Sequence, residues 1–434
     1  MRRTGSRNVQ IRFTAGRLTH FGGVYLIHRF LQQLQLRTFL SMRLRIPERN
    51  NFFSVTERLA ALLYPMILGL NTIECSALLG TNGVFQYLTG IPRFPNPTTI
   101  RRFLMRTSSV LLPKLRSAHN ELRSRFLLLP TVRSSVWLDF DSTAKTLYGN
   151  QEGAVKGYNP GHPGRKSYHP LVCAEAHLKD VLGGGLRHGN AHTADGVDEM
   201  FEAVTALLPH TTRLRVRADA GFFNGDFVKG ISQKAGFAVV APVYQSMKFR
   251  LPGLRYQRVN KTESTAEFHH QPYKWDRPYR FVVLREKLSE KRREQLTLFT
   301  SKAYAYHMIV TNLDLTPYGV FTFYQDRTGL ERIIRILKDD LPFGKAPTKQ
   351  FDPNALYAEL SLLSYNLMIW FRRLCLPEDW QTYSVEILRR RLFSVPGEFT
   401  RTGNRPMLKL PKNSPYQSEF LSALERIKKL SSLV

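Results

Sequence analysis

Four carboxylates lie at positions where a fold could gather them, in a chain that has few acids. Asp139 and Asp141 lie two residues apart in WLDFDST, Asp219 ends the alternating segment LRVRAD, and Glu331 lies within FYQDRTGLERIIRILKDD. Carboxylate oxygens are suitable ligands for hard cations such as Mg²⁺. Enzymes that cut or join phosphodiester bonds often hold two such ions roughly 3.5–4 Å apart. These acids are therefore candidates for a two-metal site.

Each acid also has a purely structural interpretation. Two Asp residues two positions apart on a strand project from the same face, and either could end the strand by capping the turn at Ser142 or Thr143. Asp219 could close an Asx-turn. Glu331 could belong to a ladder of i,i+4 ion pairs, each contributing roughly 0.2–0.5 kcal/mol. The residues alone leave both interpretations open.

The segment around Glu331 is predicted to be one helix over residues 323–340. At 3.6 residues per turn, one stripe of this helix is apolar and comprises Leu330, Ile333, Ile334, Leu337 and Leu341. A polar stripe borders it and comprises Arg327, Glu331, Arg335 and Lys338. A side chain at such a border can reach a cleft while its helix packs on a sheet.

The acids are embedded in a pattern of strands and helices. VWLDFD, HPLVCAEAHL and DVLGGGLRHGN read as strands, followed by a helix in DGVDEMFEAVTALLP, a strand in LRVRADAGF, a helix in DFVKGISQKAG and a strand in FAVVAPV. This order predicts an α/β or α+β sheet. Further strands, RFVVLRE and YHMIVTNL, follow in a β-rich stretch, and the apolar helix NALYAELSLLSYNLMIWFRRLCL is suited to packing on the sheet.

Helices are predicted before the sheet. SVTERLAALLYPMILGL begins with a cap candidate at Ser54, and the short segments NTIECSALLG and NGVFQYLTG end in glycines. A longer helix begins near Pro97 and carries Arg101 and Arg102. This arrangement is compatible with a helix-turn-helix-like DNA module in which those two arginines contact DNA, and equally with an ordinary helical bundle.

Charge and composition point to a polyanionic partner. The 434 residues carry a net charge of +29 and a pI near 10.3, which attracts nucleic acid. The first fifty residues contain ten Arg and one acid, Glu48. Three widely spaced cysteines form no CxxC pair, which suits a reducing compartment. No segment approaches the roughly 20 apolar residues of a membrane span, so we expect a cytoplasmic protein with no membrane partner.

Taken together, the acids resemble the catalytic DDE set of transposases with an RNase H-like core. Tyr324, Arg327, Glu331 and Lys338 reproduce the Y-x2-R-x3-E-x6-K signature of a large group of bacterial insertion-sequence transposases. LDFDST, YGNQEGAVKGYNP, RHGN and RADAGFF resemble the conserved blocks of one subgroup, in the same order. The resemblance covers roughly residues 55–370.

The resemblance implies roles for the acids. Asp141, Asp219 and Glu331 would bind two Mg²⁺ ions, for which Mn²⁺ can substitute, and would direct an in-line displacement at phosphorus. Asp141 is preferred to Asp139 because the D-S-T sequence matches the family's strand-end Asp, and Asp139 is the second choice.

The resemblance also implies that the other three signature residues hold DNA near the cleavage site. Tyr324, Arg327 and Lys338 offer a phenol and two cations as donors to phosphate. With Arg101 and Arg102, they complete the predicted DNA contacts.

The implied architecture is an α/β (α+β) RNase H-like core with a β-rich insertion domain and an N-terminal helical DNA-binding region. The predicted segments are an arginine-rich extension (1–50), a helical DNA-binding region (51–130), the catalytic core (131–244 and 321–376), the insertion (245–320) and a basic C-terminal region (377–434).

The implied function is that of a nucleoid-associated bacterial transposase. It would bind the terminal inverted repeats of an insertion sequence, cut there and join the ends to target DNA, as a homodimer or a higher synaptic complex. Two alternatives stay open: an RNase H-fold nuclease without strand transfer, and a catalytically silent DNA-binding protein derived from a transposase.

Overall fold

A computed structural model describes residues 11–14, 16–47, 52–128, 135–209, 211–288 and 304–432. The chain forms two compact units. The first unit contains Met1–Ile100 and Phe371–Val434, and the second unit contains Arg101–Trp370. The predicted acids all lie in the second unit. The bounds of the five predicted segments stay a prediction.

The α-helices among the described residues number fourteen. They are α1 (Val24–Gln33), α2 (Leu36–Arg43), α3 (Val55–Leu68), α4 (Ser76–Gly80), α5 (Gly83–Thr89), α6 (Pro97–Leu128), α7 (Val197–Thr205), α8 (Gly225–Lys234), α9 (Gln245–Arg250), α10 (Pro317–Gln325), α11 (Thr328–Asp339), α12 (Phe351–Cys375), α13 (Val385–Leu388) and α14 (Gln417–Lys428). No helix among the described residues is long and apolar enough to cross a membrane.

The described strands form three sheets. They are β1 (Leu18–Thr19), β2 (Ser135–Ser142), β3 (Lys145–Thr146), β4 (Val155–Lys156), β5 (Lys166–Tyr168), β6 (Leu171–Glu175), β7 (Val181–Gly185), β8 (Arg213–Ala218), β9 (Ala235–Ala241), β10 (Gln257–Arg258), β11 (Glu263–His270), β12 (Tyr279–Lys287), β13 (Tyr304–Thr311), β14 (Gly397–Thr402) and β15 (Arg405–Lys409). A small sheet β3-β5-β4 lies in the second unit, and β1-β14-β15 lies in the first.

The central sheet of the second unit has the order β10-β11-β12-β13-β9-β8-β2-β6-β7. Strand β2 pairs with β6 in antiparallel and with β8 in parallel orientation, and β8 and β9 are parallel. The five strands β7-β6-β2-β8-β9 therefore have the order and directions of an RNase H-like fold. This confirms the predicted fold class.

Strands of the predicted β-rich segment, 245–320, continue the same sheet. Strand β13 pairs with β9, and β12, β11 and β10 follow outward as an antiparallel meander. The predicted β-rich character is confirmed, and the separation of this segment as a domain stays a prediction.

Hydrophobic burial explains why these elements pack together. Helices α7 and α8 cover the sheet through Phe201, Phe227 and Ile231, which pack with Phe140 of β2 and Val216 of β8 in one buried cluster. Strands β2 and β8 contain runs of consecutive buried residues, as expected for parallel strands covered by helices.

The apolar helix α12 packs on the sheet as predicted. Its Asn366 accepts a hydrogen bond from the Val181 N–H (3.0 Å) and donates one to the Val181 carbonyl (2.9 Å). A single buried amide thus satisfies both backbone groups of one residue of β7, which fixes the helix against the edge of the RNase H-like strands.

The prediction of one helix over residues 323–340 is wrong. The segment is divided between α10 and α11, which meet at Asp326 and Arg327. Asp326, Thr328 and Gly329 all have low helix propensity, and together they explain the break. The apolar stripe is confirmed, because all five of its members are buried: Leu330, Ile333, Ile334, Leu337 and Leu341.

The first unit confirms the predicted helix start at Ser54. Its side-chain oxygen accepts from the Glu57 N–H (3.2 Å), and its own N–H donates to the Glu57 carboxylate (2.8 Å), which forms a capping box. At the other end of α3, Arg389 donates to the carbonyls of Ile67 and Met66, both at 2.7 Å. These contacts satisfy backbone groups that every helix end leaves open.

Candidate active site

Asp141 lies at the end of β2, with 16% of its side chain exposed. Its Oδ1 accepts from the Ser142 N–H at 2.7 Å, and its Oδ2 lies 3.3 Å from Nη2 of Arg327. Burial raises the pKa of Asp141 to about 6; Arg327 opposes this shift, and the charges of Asp219 and Glu331 add to it. Asp219 and Glu331 are therefore each within electrostatic reach of Asp141.

Asp219 follows β8, the parallel neighbour of β2. The carboxyl ends of parallel strands meet at one edge of a sheet, which brings Asp219 beside Asp141. Its Oδ1 also accepts from the Gly221 N–H at 3.0 Å and caps the short 3₁₀-helix Ala220–Phe222. The Asx-turn interpretation is thus correct for one oxygen, and this contact fixes the position of the side chain.

Glu331 lies in the first turn of α11 and is exposed. Within the part of the chain that the structure describes, it makes no ion pair. The neighbours expected to form a ladder with it point elsewhere: Arg327 pairs with Asp141, and Lys338 donates to the Thr143 hydroxyl (3.1 Å) and the Ala144 carbonyl (3.2 Å). Among the described residues, Glu331 therefore forms no part of an ion-pair ladder.

Asp139 has a different environment from Asp141. It is buried, and both of its oxygens accept from the guanidinium of Arg217, at 2.6 and 2.9 Å. Arg217 in turn donates to the Phe323 carbonyl at 2.8 Å and lies 5.2 Å from the ring centre of Trp137. Asp139 is occupied in a buried bidentate pair, which favours Asp141 as the first catalytic acid.

The three predicted acids suit Mg²⁺ in the type of ligand atom that they supply. Asp141, Asp219 and Glu331 supply only carboxylate oxygens, the ligands that this hard cation prefers, and their mutual repulsion would be relieved by a bound cation. Among the described residues, no group of three His, Cys, Asp or Glu side chains is arranged to hold a metal ion.

The other signature residues surround the acids in different ways. Arg327 is 7% exposed, and its Nη2 donates to the Phe140 carbonyl at 2.7 Å while its Nη1 lies 3.4 Å from the Tyr324 hydroxyl. Burial raises the pKa of Tyr324, Arg327 opposes the shift, and Asp219 and Asp141 add to it. Arg327 thus fixes the end of β2, and the DNA contacts of Tyr324, Arg327 and Lys338 stay predictions.

The two arginines predicted to contact DNA from α6 differ in their surroundings. Arg101 donates from Nε to the Pro347 carbonyl at 3.3 Å, whereas Arg102 is exposed. The contact of Arg101 and Arg102 with DNA stays a prediction.

His169 was not among the predicted site residues. Its Nδ1 lies 2.7 Å from the Ala191 carbonyl, and its Nε2 lies 3.0 Å from the Ser142 hydroxyl. Because a carbonyl only accepts, Nδ1 carries the hydrogen, and Nε2 accepts from Ser142. Burial lowers the pKa of His169, which favours this neutral form. The imidazole therefore ties the residue after Asp141 to the RHGNAH segment.

Arg187 is the second residue that chemical reasoning on the sequence missed. It donates to the carbonyls of His169 (2.8 Å), His192 (3.1 Å) and Thr193 (3.1 Å). Arg187 of the RHGN block therefore stabilises the loop through backbone carbonyls. The same loop contacts His169 through the Ala191 carbonyl. The resemblance marked this block, but only the contacts give it a physical role.

Gly157 and Gly189 bring the YGNQEGAVKGYNP and RHGN blocks into backbone contact. A Cβ at Gly157 would lie 1.9 Å from the Gly189 carbonyl oxygen, and a Cβ at Gly189 would lie 2.0 Å from the Ser167 carbonyl oxygen. No side chain fits at either position without movement of the backbone.

We expect Gly157→Ala to displace these loops and to lower the DNA cleavage that the sequence analysis predicts by roughly 10²-fold, the effect of misplacing a site by about 1 Å. Gly253→Ala is the matched control, since a Cβ there meets nothing within 4 Å and Gly253 lies outside the site. Initial cleavage rates of the two purified variants, with circular dichroism as a check on folding, test this. Equal rates for Gly157→Ala and the unaltered protein would contradict it.

The RNase H-like sheet carries Asp141 and Asp219 at the carboxyl ends of two parallel strands, and a comparison with known families specifies the class of protein further. The family described as "Transposase DDE domain group 1" matches residues 1–432. The chain belongs to this family. The predicted assignment to the DDE transposases is thereby confirmed, and the insertion-sequence subgroup stays a prediction.

One solved structure similar to this chain is described as a "Cryo-EM structure of piggyBac transposase synaptic complex with hairpin DNA". The TM-score is 0.48 at 10% sequence identity, over 95% of this chain and 82% of that one. No curated protein sequence matches the chain.

Proposed function

We propose that this chain is a DNA transposase that cuts DNA at the ends of its mobile element and joins those ends to target DNA, with Asp141, Asp219 and Glu331 as its catalytic acids. The observation that carries the proposal is the parallel pairing of β2 and β8, with Phe140 opposite Ala218, which sets Asp141 and Asp219 side by side at the carboxyl ends of the two strands. The membership of the chain in a transposase family supports the same reading.

Each residue has a defined task in this proposal. Asp141, Asp219 and Glu331 would hold two Mg²⁺ ions through carboxylate oxygens. The ions would supply Lewis acidity and positive charge at the phosphate that is attacked. Arg327 would act as a positioning residue, because it pairs with Asp141 and holds the adjacent Phe140 carbonyl.

Lys338 would contact the DNA backbone next to the acids. Its ammonium group is held by two neutral oxygens, of Thr143 and Ala144, so its charge is not neutralised by them. A phosphate oxygen would accept a charge-assisted hydrogen bond from it.

The proposed partners are the terminal inverted repeats of the element and its target DNA. The net charge of +29 supports many phosphate contacts, so binding should weaken steeply as salt is raised. Two DNA ends must be held together for joining, and a homodimer or a larger assembly would supply two sets of acids.

A coupled cleavage and joining assay tests the proposal. The substrate is a labelled duplex that carries the DNA flanking the gene, mixed with a target plasmid and Mg²⁺. We expect cut ends and ends joined to the plasmid, and neither product when EDTA replaces Mg²⁺. Cleavage without joining would identify a nuclease, and binding without cleavage would identify a silent DNA-binding protein; either result would overturn the proposal.

A further inference from the structure

A cleft of about 1120 Å³ lies beside Asp219 in the second unit. Its lining includes Lys145, Tyr148, Tyr158 and Lys338. This volume lies slightly above the roughly 300–1,000 Å³ of small-molecule pockets. It is large enough for a few nucleotides, and too small to enclose a duplex.

Positive charge is concentrated at this cleft. Burial lowers the pKa of Lys145, and the nearby ammonium groups of Lys338 and Lys345 lower it further, while Asp339 opposes the shift. Two of these cations, Lys145 and Lys338, line the cleft, and neighbouring cations fit a partner with a repeated negative charge, such as a phosphodiester backbone.

Two tyrosines line the same cleft without being packed in the core. Tyr148 is 81% exposed and Tyr158 is 69% exposed. Aromatic rings placed among cations are the usual equipment for binding unpaired nucleic acid, because every base has a face that can stack. Paired bases inside a duplex offer no such face to a side chain.

The loop that carries Tyr158 is held in place by its neighbours. The preceding Gly157 is in backbone contact with Gly189, and the following Asn159 donates to the Thr146 hydroxyl at 3.0 Å. A ring presented from such a loop loses little freedom on stacking, which favours binding.

We propose that this cleft holds unpaired nucleotides of the DNA strand that passes Asp219, with Lys145 and Lys338 on the phosphates and Tyr148 and Tyr158 stacked on the bases. The inference rests on the proposed function, since it places the cleft on the path of the DNA substrate.

The test measures binding of a fluorescent ten-thymidine strand to the full chain in EDTA, by anisotropy at several salt concentrations. Base stacking contributes roughly 1–3 kcal/mol per base, so we expect Tyr158→Ala and Tyr148→Ala each to weaken binding roughly 5- to 150-fold. Tyr158→Phe keeps the ring and should bind like the unaltered protein. A strand of the same length with abasic sites should bind the unaltered protein as weakly as the thymidine strand binds the Ala variants.

Tyr273→Ala is the matched control, because Tyr273 is 88% exposed and does not line the cleft. Equal affinity of the Tyr148→Ala, Tyr158→Ala and unaltered proteins for the thymidine strand would overturn the inference. So would equal affinity of the unaltered protein for thymidine and abasic strands. The assay contains no Mg²⁺, so its outcome is independent of cleavage, and a failure of the proposed function shows separately as a loss of cut or joined products.

Discussion

Glu331→Gln should abolish Mg²⁺-dependent cleavage of DNA ends, by roughly 10³-fold or more, and leave DNA binding unchanged. The size of this effect is at the upper end for the loss of one group that stabilises transition-state charge. Glutamine keeps the shape of the side chain but removes the negative charge that a hard cation needs. Glu331 is exposed and makes no ion pair among the described residues, so the substitution should not disturb the fold.

The measurement is the single-turnover cleavage rate of a labelled duplex, with binding followed separately by gel shift in EDTA. Glu199→Gln is the matched control, since Glu199 is exposed on α7 and outside the predicted site. Asp141→Asn and Asp219→Asn should behave like Glu331→Gln. Full cleavage by the Glu331→Gln protein would remove Glu331 from the catalytic set.

Asp139→Ala should unfold the second unit at a much lower temperature. The substitution leaves Arg217 buried without its bidentate partner, and removal of one partner from a buried ion pair costs roughly 3–5 kcal/mol. At roughly 2–4 °C per kcal/mol for a domain of this size, the midpoint of thermal unfolding should fall by about 6–20 °C. The ring of Trp137 lies next to Arg217, so tryptophan fluorescence reports this transition.

A double variant separates lost charge pairing from a general loss of packing. Asp139→Leu combined with Arg217→Met removes both charges and should recover most of the lost stability, as apolar replacements of buried pairs often do. Glu199→Gln, at an exposed position on α7, should show no comparable loss. The contrary result would be an Asp139→Ala protein that has normal stability but does not cleave DNA. That result would favour Asp139 over Asp141 as the first catalytic acid.

Local patterns in the sequence determined much of the fold. The strands around Asp141 and Asp219, the buried stripe of α11 and the capped start of α3 follow from periodicity and capping, which act over a few residues. Asp141, Asp219 and Glu331 were candidates because their residue type and position in the pattern suited metal binding. The comparison confirms the predicted assignment to the DDE transposases, while the subgroup indicated by the motif at Tyr324, Arg327, Glu331 and Lys338 stays a prediction.

The tertiary structure alone decided what each of these residues contacts. The partner of Asp139 is Arg217, 78 positions away on the neighbouring strand, and the partner of Arg327 is the Phe140 carbonyl, 187 positions away. Only the structure showed the division between α10 and α11. It alone also showed the contacts of His169 and Arg187 with the RHGNAH loop. The types and spacing of residues predict contacts within one helix or strand. They do not predict which distant segments become neighbours when the strands pair into a sheet. That difference is why the sequence named two possible first acids and the packing favours one.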